Sequence, residues 1–162
     1  MSVDMERPSG RRRLSATARR ARIVESALDA FASGGYGATG MGEIAELAGV
    51  TRAVLYDHFP SKRALFLAVL TEQNATFLGH IGAHITTEAS AEVRMRATTD
   101  AVFSFAERFP NAWRMLFVNA THGDPEIDSA WNETAQARHH AVVILLAADL
   151  RDAGIDPESG SA

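Results

Sequence analysis

The chain has 162 residues, 46% of them hydrophobic and 22% charged, and a formal net charge of −4 at neutral pH. That composition supports one or two small folded domains and excludes a disordered chain. The absence of cysteine rules out disulfides, thiolate metal sites and thiol redox chemistry, and no stretch of about 18 apolar residues exists to cross a membrane.

In chain order, residues 1–14 read as a flexible basic arm, with Pro8, Ser9 and Gly10 followed by Arg11, Arg12 and Arg13. The acidic start at Asp4 and Glu6 does not resemble a secretory signal, so a cytoplasmic location is expected. From about Thr17 to Ser33, Ile23, Ala27, Ala30 and Phe31 keep a period of about 3.6, which predicts a first helix stopped by Gly34 and Gly35. Charge divides unevenly along the chain. Residues 1–63 hold ten Lys/Arg and seven Asp/Glu, a balance of +3; residues 64–162 hold six and thirteen, a balance of −7. Such asymmetry fits a nucleic-acid face at one end and a different partner at the other.

The stretch from Ile44 to Phe59 predicts two short helices around a glycine turn, roughly Gly42–Ala48 and Arg52–His58. Ile44, Leu47 and Ala48 are placed on one apolar face, Gly49 at a position needing positive φ, and Thr51 as the N-cap of the next helix. Leu55 and Phe59 return that helix to the same core, leaving Arg52, Ala53, Val54, Tyr56 and Asp57 outward. This is the geometry that inserts a helix into the DNA major groove. Pro60 and Ser61 then open a long fourth helix, with Ser61 as N-cap and Leu65, Val69 and Leu70 inward. Helices over about Ala89–Arg108, Asn111–Ala120 and Glu126–Ala153 follow, separated by Pro110 and by the breaker His122-Gly123-Asp124-Pro125. No alternating strand pattern occurs, so the fold is predicted all-α.

Several motifs carry a resemblance: Ile44-Ala45, Ala48-Gly49-Val50-Thr51, Leu55-Tyr56, His58-Phe59 and Ser61-Lys62. With Ile23, Ala27, Phe31, Gly35-Tyr36 and Ala38-Thr39 upstream and Ala64-Leu65 downstream, residues 19–70 resemble the amino-terminal DNA-binding domain of the TetR family of bacterial transcriptional regulators. The resemblance implies a helix-turn-helix domain over 15–60 and a helical effector-binding and dimerisation domain over 61–154, with a flexible tail at 155–162. It further implies a homodimeric repressor that leaves a palindromic double-stranded operator when a small-molecule effector, of unknown identity, binds the second domain. Carried over position by position, Arg52, Ala53, Val54 and Tyr56 would read or abut bases. Thr39, Thr51, Tyr56, His58 and Lys62 would meet phosphates. Phe77, Ile81, His84, Phe103, Trp113, Phe117 and Trp131 would line the effector pocket, with Asn119 and His122 as further polar contacts. No cofactor, metal or catalytic residue is implied. The sequence departs from the family pattern at Gly40 and Gly42, where contacting side chains are missing, and at Asp57, a carboxylate beside DNA. The chain also stops before two further helices that usually pair with the partner subunit, so it could be truncated, dimerise differently or not dimerise.

Two other readings stay open: a small-molecule-binding or enzymatic helical domain with a vestigial motif, and a dimer-defective interaction module. Gly35-Tyr36-Gly37-Ala38-Thr39-Gly40 spells G-x-G-x-x-G, yet a helix rather than a strand is predicted before it, which argues against a dinucleotide site. His80 and His84, four apart on one helix, lack a local third metal ligand. No nucleophile-elbow pattern supports a hydrolase.

Overall fold

The computed structural model describes residues 15–84, 90–118, 122–152 and 154. These form seven helices: α1 (Ala16–Ala38), α2 (Met41–Leu47), α3 (Arg52–His58), α4 (Lys62–His84), α5 (Ala91–Arg108), α6 (Pro110–Trp113) and α7 (Pro125–Asp152). A π-helical turn, Arg114–Val118, continues α6. No strand is present among the described residues, so the chain is all-α. The basic arm, the tail, Asn119 and the ends proposed at Ala89, Ala120 and Ala153 lie outside the described residues.

Helix boundaries follow local chemistry. The Ser15 hydroxyl caps α1 by accepting from the Ala18 N–H, and the Ser61 and Ser90 hydroxyls do the same for α4 and α5. Gly35 breaks α1 with φ of 76°, and Tyr36–Ala38 resume as a short extra turn. Pro110 and Pro125 occupy first-turn positions, where the missing N–H costs nothing.

One apolar core runs through the molecule. Ile23, Ala27 and Phe31 of α1 meet Ile44, Ala45, Leu55 and Phe59 at one end. Leu65, Phe66, Val69 and Leu70 of α4 continue it towards Phe77, Ile81, Phe105, Met115, Leu116 and Ile127. Helix α4 packs on α1, α5 and α7 and is therefore the element shared by both halves.

Candidate nucleic-acid interface

The turn between α2 and α3 is built from backbone hydrogen bonds. The Val50 N–H donates to the Ala45 carbonyl and the Gly49 N–H to the Glu46 carbonyl, both at 3.0 Å, with Gly49 at φ 63°. This 6→1 and 5→2 pairing with a left-handed residue ends α2 and turns the chain sharply. Thr51 then caps α3, its hydroxyl accepting from the Val54 N–H at 3.3 Å. Leu55, fully buried, pins α3 to the head core. Arg52, Ala53, Tyr56 and Asp57 consequently lie exposed along α3, with Val54 and His58 half-buried.

Gly42, one of the two glycines that depart from the family pattern, makes room for Arg52. A Cβ on Gly42 would come within 2.8 Å of the Arg52 Nε and Cζ, so the guanidinium rests over bare backbone. Gly49 similarly accommodates Arg22, whose Nη2 would lie 3.2 Å from a Cβ there. Nothing in the sequence marks Arg22 beyond its charge; its closeness to the turn depends on how α1 crosses α2. The N–H of Gly40, by contrast, already donates to the Glu43 carboxylate at 3.4 Å.

Two sequence expectations are corrected. Thr39 is not on the exposed face: it is 3% exposed, and its one hydroxyl proton is shared between the carbonyls of Ala30 and Gly35. It holds the broken end of α1 onto the helix body. Leu47 does not join Ile44 on the inner face but stands 55% exposed, and Ala45 takes the inward position. Lys62 bends back towards α1, donating to the Gly37 carbonyl at 3.2 Å, its ammonium 4.5 Å from the Tyr36 ring centroid.

Beneath this head a polar joint ties it to the rest of the chain. Arg63, in the first turn of α4, donates to Asp124 at 3.0 Å and pairs with Glu126 at 2.5 Å. The Tyr36 phenol belongs to the same cluster. Hydrogen bonding from Arg63 holds the Asp124 carboxyl below its usual range, whereas burial and then Asp124 push the Tyr36 phenol up. Asp124 also caps α7 by accepting from the N–H groups of Glu126 and Ile127. His122 is buried beside it, its Nδ1 2.9 Å from Asp128 Oδ1 and its ring edge-on to Phe66 at 5.0 Å. The sequence showed 122–125 as a helix breaker and His122 as a pocket contact, and the joint stayed hidden because the partner, Arg63, lies about sixty residues away.

The second half gathers some of the expected effector-pocket residues and separates others. Phe77 meets Phe105 and Phe117 edge-on at 5.1 and 5.2 Å, and Trp113 stacks on Phe117 at 4.2 Å. Ile81 is buried beside them, and the Trp131 indole N–H donates to the Met115 carbonyl at 2.9 Å. Phe103 is 66% exposed on the outside of α5, because Phe105, two residues on, takes the inward face. His84 sits exposed at the end of α4, its Nδ1 2.7 Å from the His80 carbonyl. His80 Nε2 lies 2.8 Å from Ser104 Oγ. The G-x-G-x-x-G segment is entered from helix α1, not from a strand.

Comparison with known proteins agrees with this arrangement. Residues 23–69 match the family described as bacterial regulatory proteins, tetR family. The transcriptional activator FasR of Mycolicibacterium smegmatis is 34% identical over 155 residues, spanning 93% of this chain and 69% of its own length. The chain belongs to the TetR family. Another relative, the regulator RutR of Escherichia coli, is 41% identical over 72 residues, 44% of this chain and 34% of its own. The fold is that of a TetR-like regulator from Rhodococcus sp. RHA1, with a TM-score of 0.75 at 21% identity, covering 91% of this chain and 75% of that one. A TetR-family protein is a DNA-binding transcriptional regulator, and the helix-turn-helix here is intact. No helix among the described residues is long and apolar enough to cross a membrane.

Proposed function

We propose that this TetR-family regulator grips a palindromic operator as a homodimer in the cytoplasm and changes its grip when a small effector binds between α4, α5, the π turn and α7. It works by binding and not by catalysis. The observation that carries the reading is the exposed row Arg52, Ala53 and Tyr56 on a helix anchored by Leu55 and capped by Thr51. Arg52 would read a base edge, with Ala53 and Val54 against it. Tyr56, His58, the Thr51 O–H, Lys62 and Arg22 would meet phosphates. Thr39, already hydrogen-bonded inside, is left out of that set. Domain limits of 15–60 and 61–154 fit this division, with α4 belonging to both units through Arg63.

Whether binding represses or activates depends on operator placement, not on the interface, and the relative FasR is named an activator. The test is hydroxyl-radical footprinting on a selected operator combined with sedimentation. Two protected half-sites one helical turn apart, roughly 34–36 Å, on a dimer support the reading. A single half-site footprint by a monomer contradicts it.

A further inference from the structure

Arg138, on α7, is only 6% exposed, and among the described residues no carboxylate pairs with it. Its Nη1 donates to Asn74 Oδ1 on α4 at 3.1 Å, and its Nη2 to the Leu116 carbonyl in the π turn at 2.9 Å. The guanidinium lies 4.4 Å from the Phe117 ring centroid. All three contacts are to neutral groups. A guanidinium carries five N–H donors, and these two hydrogen bonds use two of them. Burial of an unpaired cation is costly, and burial accordingly lowers the Arg138 pKa. A purely structural brace for the Leu116 carbonyl would need a donor but no charge; Trp131 braces the neighbouring Met115 carbonyl with a neutral indole.

The surroundings say what could complete it. Phe117 is 36% exposed and stacked on Trp113, and Phe77 closes the inner side. A charged fork beside an aromatic wall with an open outer edge suits a molecule with an apolar body and an anionic head. The π turn Arg114–Val118 supplies both Leu116 and Phe117, and such turns interrupt α-helices frequently at functional sites.

The geometry points to Arg138 as the anion-recognising residue of the effector site, selecting effectors that pair a carboxylate or phosphate with an apolar body. This rests on the effector-binding reading above and gives it a chemical class. It also supplies a route to the DNA-binding head. An anion taking the Arg138 fork competes with Asn74, loosening α7 from the middle of α4 while Arg63 holds the start of α4 to Asp124.

The experiment uses one apolar body with four heads: dodecanoate, dodecyl phosphate, dodecanol and dodecyltrimethylammonium, each below its micellar concentration. Binding to the full chain is followed by fluorescence of Trp113 and Trp131 and by calorimetry, without DNA. The anions should bind at least tenfold more tightly than the alcohol or the cation. Arg138→Gln, which keeps a donor for Leu116, should abolish that preference; Arg138→Lys should retain part of it. Equal binding of all four heads, binding of none, or a preference that survives Arg138→Gln would each overturn the assignment. Should Arg138→Gln fail to fold by circular dichroism, the head-group preference of the unaltered chain and of Arg138→Lys still decides. Operator affinity, measured separately, tells failure of this assignment from failure of the DNA-binding reading.

Discussion

Arg52 owes its place to an absent side chain. With Gly42 bare, the guanidinium lies over α2 instead of reaching straight into solvent. Arg52→Ala should therefore weaken operator binding by about 1–3 kcal/mol, some five- to 150-fold, with non-specific binding nearly unchanged. Gly42→Ala should shift sequence preference through displacement of Arg52 at unchanged melting temperature, since only the end of a flexible side chain must move. Both are read by fluorescence anisotropy on matched and scrambled duplexes. Thr39→Val makes the opposite case. Loss of its internal hydrogen bonds should cost about 1 kcal/mol of folding stability in a denaturant melt and leave affinity for both duplexes unchanged. A loss of affinity on matched and scrambled duplexes alike would return Thr39 to the phosphate-contacting set. The direction of Thr39 could not be read from sequence. A threonine after a glycine-rich turn looks the same whether it faces solvent or folds back, and here the turn at Gly35 lets its hydroxyl reach the Ala30 and Gly35 carbonyls.

Elements were far more legible than directions. Periodicity and caps placed α3 over Arg52–His58 as observed, the breakers Pro110 and Gly123–Pro125 fell between helices, and Gly35 breaks α1 one turn before its end. These signals are local, set by one turn of chain. What stayed hidden was pairing between elements: Arg63 with Asp124, Arg138 with Asn74, and which of Phe103 and Phe105 faces inward. The Arg63–Asp124 joint has a measurable consequence. A carboxyl held below its ordinary value of 3.8 in the folded chain contributes stability that is present above that value and is lost as pH falls through the lower, folded one. Melting temperature should therefore fall on acidification below about pH 4, and Asp124→Asn should flatten part of that slope. At neutral pH the same variant should keep its operator affinity yet respond less to effector, because the head is no longer tied to α7 through Arg63. An unchanged acid slope would remove Asp124 from the joint.

At the scale of the whole molecule, one core joins two halves of unlike charge. The first half of the sequence holds the positive balance and α3, the second half the negative balance, and α4 forms the axis between them from Arg63 to Asn74 and beyond. Composition showed the division of charge, and the net value of −4 concealed it. The apolar core is continuous through that axis, so a change in how α4 packs is felt by Phe66 and the head together. The most direct test of the account is fluorescence anisotropy of the chain on a selected palindromic duplex and on a scrambled duplex across a salt series. A preference for the palindrome of roughly a thousandfold, cut some five- to 150-fold in Arg52→Ala, is the expected result. Equal and steeply salt-dependent binding to both duplexes would contradict it, showing charge attraction without sequence reading.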